Sequence, residues 1–291
     1  MQIRRQGYTA VLLLVLCLNM FVFTTACTNA GSSGKQATDS ALVRTAIDST
    51  IKKTDTAAIQ PEPADTGKQY IYLTFDDGPQ PPGTSNCYNT CKQLNAKASF
   101  FMVAVHANDA YRKREVDSIR NDYPLLLLCN HSSTHAFSDK YKYFYSHPHD
   151  ALQDFLAAQQ KLATPYKIVR LPGNSAWVRQ GELKSSKQTR AVSALLDSAG
   201  YNVIGWDLEW DFKKDGSARP VQTTEAMLQS VTNALTNRHC HTRNHVVILA
   251  HDRMFRHPED VDSLYKFISA LKNNPAYVLE TIDHYPELKT K

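Results

Sequence analysis

Tyr70-Ile71-Tyr72-Leu73-Thr74-Phe75-Asp76-Asp77-Gly78-Pro79 is the stretch on which the fold turns. An aromatic and β-branched run, the composition of a pleated strand, stops at two adjacent carboxylates and a Gly-Pro turn. Working outward, similar short runs recur at 98–103, 125–129, 167–170, 202–206, 246–250 and 277–282. Helical stretches lie between them, near 85–95, 109–121, 149–163, 188–199, 222–236 and 259–273, with Asp109 and Thr223 placed as caps. Seven strands alternating with helices predict an α/β domain on parallel strands, either an incomplete β/α barrel or an open doubly wound sheet. No fixed period repeats, which argues against a solenoid.

The residues able to do chemistry fall after strands: Asp76 and Asp77 after the first, His131 and His135 after the third, Arg170 after the fourth, Asp207 and Glu209 after the fifth, His251 after the sixth. In parallel β/α architectures the carboxyl ends of the strands form one face, so five segments are expected to converge on a single pocket.

Adjacent side chains in an extended or turning backbone point apart, so one of Asp76 and Asp77 can bind a metal while the other faces a substrate water. His131-Ser132-Ser133-Thr134-His135 spaces two imidazoles i, i+4, on one face if the segment makes a helical turn. With Asp77 they compose a two-histidine, one-carboxylate set with coordination positions left open. The head of Arg170 can pair with Asp76 and favour its ionised form. Trp206-Asp207-Leu208-Glu209-Trp210-Asp211-Phe212 mixes acids with aromatic rings, as a sugar-binding groove does, and His251 is free to act as an acid. His147 and His149, and His239, His241 and His245, are read as solvated or interfacial rather than metal-binding.

Thr74 to Pro79 reads TFDDGP, residues 131–135 read HSSTH, and Ser99-Phe100-Phe101-Met102-Val103 forms an apolar strand between them. In these motifs, and over nearly the whole domain, the chain resembles the NodB-homology polysaccharide deacetylases. The resemblance implies a distorted, incomplete (β/α) barrel of about seven parallel strands and hydrolysis of N-acetyl or O-acetyl groups. It implies Asp76 as general base, His251 as acid, and Asp77, His131 and His135 as ligands of a divalent metal, commonly zinc, with cobalt, nickel or ferrous iron as alternatives. The family places an aromatic after the proline of its third motif, where Gly173 stands here; its backbone N–H is the expected oxyanion donor. Asp207, Glu209 or Asp211 is the counterpart of the acid that tunes the histidine, with Asp207 and Glu209 ranked first, and Trp206 and Trp210 are expected along the groove. The implied substrate is an N-acetylated polysaccharide such as peptidoglycan or a chitin-like glycan. An O-acetyl esterase on xylan-type glycans and a non-catalytic glycan-binding lipoprotein are the alternatives.

At the N-terminus, Arg4 and Arg5 precede an apolar run from Val11 to Phe23 that ends at Thr24-Thr25-Ala26-Cys27. This resembles a lipoprotein signal over 1–26, with Cys27 carrying the lipid that attaches the protein to a membrane. Thr24 stands where such signals usually carry Leu, so ordinary secretory cleavage and an uncleaved anchor are the alternatives. Residues 27–68, rich in Ser, Thr, Ala and Asp, read as a disordered tether, and 69–291 as one catalytic domain. An exported, membrane-anchored lipoprotein of the bacterial cell envelope, monomeric, is the expectation. Lys and Arg number 33 against 28 acids, and removing 1–26 takes away two arginines; with no basic stripe, a nucleic-acid partner is not expected. Cys87, Cys91, Cys129 and Cys240 are expected as free thiols, since side chains on adjacent helical turns rarely meet disulfide geometry.

Overall fold

A computed structural model describes residues 67–290; the expected signal, with Cys17 and Cys27, and nearly all of the expected tether lie outside the described residues. The strands are β1 (Gln69–Asp76), β2 (Ala98–Met102), β3 (Leu126–Asn130), β4 (Ile168–Val169), β5 (Trp177–Arg179), β6 (Glu182–Lys184), β7 (Asn202–Val203), β8 (Leu208–Glu209), β9 (His245–His251) and β10 (Tyr277–Leu279). The longer helices are α1 (Gly83–Gln93), α2 (Ala110–Asn121), α3 (Tyr141–Ser146), α4 (Pro148–Leu162), α5 (Arg190–Ser198), α6 (Thr224–Thr236) and α7 (Pro258–Asn273). Asp109 caps α2 by accepting from Arg112 N, and Thr223 caps α6 by accepting from Ala226 N. No helix among the described residues is long and apolar enough to cross a membrane.

The strands join in the order β6-β5-β7-β4-β3-β2-β1-β9-β8, with β10 beside β1, and all pairings except those of β5 are parallel. The path from β7 to β8 shows that this sheet is curled. Six strand spacings separate them, about 29 Å if the sheet were flat. The chain crosses from Val203 to Leu208 in five Cα steps, a reach of about 18 Å at most. The two sides therefore bend toward one another into an incomplete barrel, and the doubly wound alternative is set aside.

Curling divides β1 by its two-residue period. Ile71, Leu73 and Phe75 face outward into the core shared with α1, α6 and α7, alongside Phe100, Phe255 and Phe267. Tyr70 and Tyr72 join the second core with Phe101, Leu127, Ile168, Ile204 and Val247, and Thr74 and Asp76 continue that face toward the carboxyl end. Register then sets the heights. Asp76 pairs with His251 across β1 and β9 and with Phe101 across β1 and β2, while Asn130 pairs with Val169, so His131 and Arg170 emerge side by side.

Three strands were absent from the sequence reading. β5 and β6 form an antiparallel hairpin at the sheet edge, and β8 is a two-residue strand on the far side of β9. Cys87, Cys91, Cys129 and Cys240 are free, the first three buried.

Candidate active site

The two histidines of the HSSTH segment do meet, but not by a right-handed helical turn as the spacing suggested. His131 to Thr134 form a loop, and His135 to Asp139 follow as a turn with φ between 50° and 64°, the left-handed region. Such a run costs backbone energy and persists only where its surroundings fix it. The buried carboxylate of Asp154, from α4, does much of the fixing: it accepts from Ser133 N at 2.8 Å, Thr134 N at 3.2 Å and Thr134 Oγ1 at 2.8 Å. Asn130 Oδ1 accepts from Ser132 N at 2.8 Å.

The ring nitrogens are sorted by what they touch. His131 Nδ1 lies 3.0 Å from the Arg170 carbonyl, and His135 Nδ1 lies 2.5 Å from Asp139 Oδ1. Both partners only accept, so each Nδ1 carries the proton and each Nε2 presents a lone pair. These Nε2 atoms point at one oxygen, Asp77 Oδ1, at 3.4 Å and 3.0 Å. That oxygen is buried and has no hydrogen-bond partner. Burial lowers His131 to about 4, so its ring is neutral at pH 7, as a ligand must be. One donor atom from each of Asp77, His131 and His135 falls within 4.8 Å of the others, and among the described residues this is the group that qualifies as a metal site. An orphaned buried oxygen facing two imidazole lone pairs fits a divalent cation.

Around this set lie the other expected residues. Asp76 Oδ2 is 3.6 Å from His131 Nε2, and Asp76 Oδ1 receives Arg170 Nη1 at 2.8 Å. Arg170, fully buried, also donates to Thr74 Oγ1 and the carbonyls of Ile204 and Gly205, with its guanidinium 4.3 Å from the Phe101 ring centre. His251 Nε2 is 3.9 Å from Asp77 Oδ2. Burial lowers the pKa of His251, while Asp76 and Glu209 act to raise it.

The profile of the Polysaccharide deacetylase family matches residues 64–197. The chain carries a polysaccharide deacetylase domain of the NodB type. A curated relative, a peptidoglycan-N-acetylglucosamine deacetylase of Bacillus cereus, is 28% identical over 225 residues, covering 75% of this chain and 72% of the relative. A putative polysaccharide deacetylase of Bacillus subtilis is 29% identical over 210 residues, covering 71% and 64%. Among solved structures, the catalytic domain of a peptidoglycan N-acetylglucosamine deacetylase from Eubacterium rectale aligns at TM-score 0.55 and 20% identity, covering 79% of this chain and 96% of that one. A family 4 carbohydrate esterase from Streptomyces lividans aligns at 0.51 and 21%, covering 75% and 95%. At that identity the solved structures speak for the fold.

Within the deacetylase domain the two acids ranked together separate. Asp207 accepts from His241 N at 2.6 Å and Val247 N at 2.7 Å, so both its oxygens tie the barrel wall together and neither faces His251. Burial lifts Asp207 to about 6. Glu209, half-buried on β8, is raised by burial and lies near enough to His251 for the ring to favour its charged form. Asp211 is exposed and accepts from Gln222 Nε2 at 2.6 Å. Trp210 is corrected: it is fully buried against Phe255 and Phe267 and donates to the Gln222 carbonyl, so it is a core residue with no face for a sugar. Trp206 remains partly open, and Gly173 lies at an exposed turn.

Several residues of the site were missed. Arg253 Nη2 contacts Asp77 Oδ2, and its guanidinium stands 5.1 Å from the Phe212 ring centre. His106 Nδ1 donates to the Asp77 carbonyl at 2.7 Å, and burial lowers that ring to about 4. A cavity of about 320 Å³ opens beside it, lined by Gln80, Asn108, Arg112 and Arg256. Its place two residues after His251 could have flagged Arg253, and the i, i+4 spacing from His135 could have flagged Asp139.

Proposed function

We propose that this domain removes N-acetyl groups from an amino-sugar polysaccharide, peptidoglycan or a chitin-like glycan, using a divalent metal held by Asp77, His131 and His135. The observation that carries the reading is the partnerless Asp77 Oδ1 facing two imidazole lone pairs, with the Asp76 and Arg170 pair beside it. A divalent ion held there, zinc in this proposal, would supply the Lewis acidity to polarise an acetyl carbonyl and to lower the pKa of water from about 15.7 toward about 7.

The chain's own residues do the rest. Asp76, oriented by Arg170, takes the proton of the attacking water through the oxygen on the His131 side. The Gly173 N–H donates to the oxyanion as the carbonyl becomes tetrahedral. His251, whose Nε2 turns into the site, gives a proton to the departing amine, and Glu209 stabilises its charged form. Acetate and a free amino sugar leave. The partly open face of Trp206 and the cavity lined by Gln80, Asn108 and Arg256 receive the sugar chain. We further propose an exported protein tethered through a lipid on Cys27, on the strength of the N-terminal sequence alone.

Acetate release from acetylated chitooligosaccharide, peptidoglycan and acetylxylan, assayed in parallel, tests this. Turnover of the first two, abolished in Asp76→Asn, is the expected result. Activity confined to acetylxylan would move the reading to an O-acetyl esterase, and full activity in Asp76→Asn would remove Asp76 as the base.

A further inference from the structure

Gly173 has φ +64°, and a Cβ placed there would lie 2.8 Å from Cε1 of Tyr141 and 3.1 Å from its Cζ. Carbon atoms do not pack that closely, so the Tyr141 ring fills the space a side chain at 173 would need. This ring comes from α3, next to the histidine segment, and not from the segment that holds Gly173. A second tie fastens α3 to the same turn: the Tyr145 hydroxyl donates to the Pro172 carbonyl at 2.6 Å. The Tyr141 hydroxyl in turn donates to Asp139 Oδ1 at 2.9 Å, the oxygen that receives His135 Nδ1–H at 2.5 Å. The Tyr141 and His135 rings meet edge to face, centroids 5.9 Å apart. One side chain thus covers the oxyanion turn with its ring and reaches the acid behind a metal ligand with its hydroxyl.

We propose that Tyr141 is a positioning residue of the reaction, supplying from α3 the aromatic wall that the Gly173 turn lacks and holding Asp139 against His135. The ring packs against the Cβ side of the Gly173 turn and so fixes the direction in which its amide points, which positions that donor for a developing oxyanion. Asp139 is 67% exposed, so without the Tyr141 hydroxyl little else restrains its grip on His135. Residue 173 is glycine for two reasons, the left-handed backbone and the ring overhead. The kinetic part of this inference rests on the deacetylase reading; the metal-binding part does not.

The test uses the full chain with Tyr141→Phe, Tyr141→Ala, Gly173→Ala and the double variant Tyr141→Ala/Gly173→Ala. Zinc affinity is measured by competition with a chromophoric chelator, and kcat and KM by acetate release from acetylated chitooligosaccharide. Tyr141→Phe keeps the wall and loses the hydroxyl, so zinc Kd rises about 3- to 10-fold, below the 10- to 100-fold of a direct outer-shell partner, while KM stays nearly constant. Tyr141→Ala and Gly173→Ala each lower kcat, about 10-fold or more, and the double variant loses clearly less than the product of the two, because the colliding ring is gone and only the left-handed backbone cost of Gly173→Ala remains. Unchanged zinc affinity in Tyr141→Phe, or multiplicative losses in the double variant, overturns the proposal. If the wild type releases acetate from no glycan, the deacetylase reading falls separately, and the zinc affinities and the additivity of the melting temperatures decide on Tyr141.

Discussion

Arg170 Nη1 stands 2.8 Å from Asp76 Oδ1 with both side chains shut off from solvent, at 0% and 3% exposure. A buried ion pair of this kind is worth most when neither partner is removed alone, because the survivor is left charged in a poor solvent. Arg170→Met is expected to destabilise the domain by about 3–5 kcal/mol and to abolish turnover, read from urea unfolding and acetate release. Arg170→Lys keeps the charge but not the fork that serves Thr74, Ile204 and Gly205, so it should recover only part of either. A stable, active Arg170→Met protein would contradict the pairing.

Asp207 and Glu209 are two residues apart in sequence and differ in task. Asp207→Asn replaces one acceptor oxygen by a donor facing a backbone N–H, so it should cost about 1–3 kcal/mol of stability with kcat little changed. Glu209→Gln removes the charge near His251 and should lower kcat by about 10-fold with little loss of stability. Melting curves beside kinetics for the two variants give the comparison, and the reverse pattern would reassign both residues.

Asp252 should make the fold sensitive to pH. Its side chain is wholly buried, the Thr84 hydroxyl donates to Oδ2, Oδ1 has no partner, and burial lifts the carboxyl from 3.8 to about 7. A folded-state pKa above the unfolded one means that the native state holds a proton the unfolded chain releases. The associated stability is full below about pH 4 and is lost as pH rises through about 7. Asp252→Asn mimics the protonated form, so the fall of melting temperature over that window should flatten. A variant with the wild-type slope would show that Asp252 is ionised in the fold.

Much of the fold was legible because its signal is periodic burial. All seven strands expected from aromatic and β-branched runs are present, and Asp109 and Thr223 cap the helices they precede. β5, β6 and β8 escaped because strands of two or three residues carry no period, and Leu208-Glu209 lies within a run of acids and tryptophans. The sheet order of β7 and β8 is likewise non-local, so strand periodicity left a curled and an open sheet equally possible, and only the resemblance carried by the TFDDGP and HSSTH motifs pointed to the incomplete barrel that is found. In the site, Asp77, His131 and His135 lie together as their residue types suggested, yet by a loop and a left-handed turn that no right-handed spacing rule describes. Trp210 was misplaced because residue type does not say whether a ring faces a groove or a core. Asp154, which holds the histidine loop from α4, has no local sequence signal at all.

Metal content is the most direct test of the central claim. Purified full-length protein, dialysed against buffer and analysed by elemental mass spectrometry, should carry a single equivalent of divalent metal. That equivalent should persist in Asp76→Asn, be lost from Asp77→Ala and His131→Ala, and be removed from the wild type by a strong chelator together with its activity. Wild-type protein that binds no metal, or Asp77→Ala protein that retains the full equivalent, would contradict the assignment of the cation to Asp77, His131 and His135.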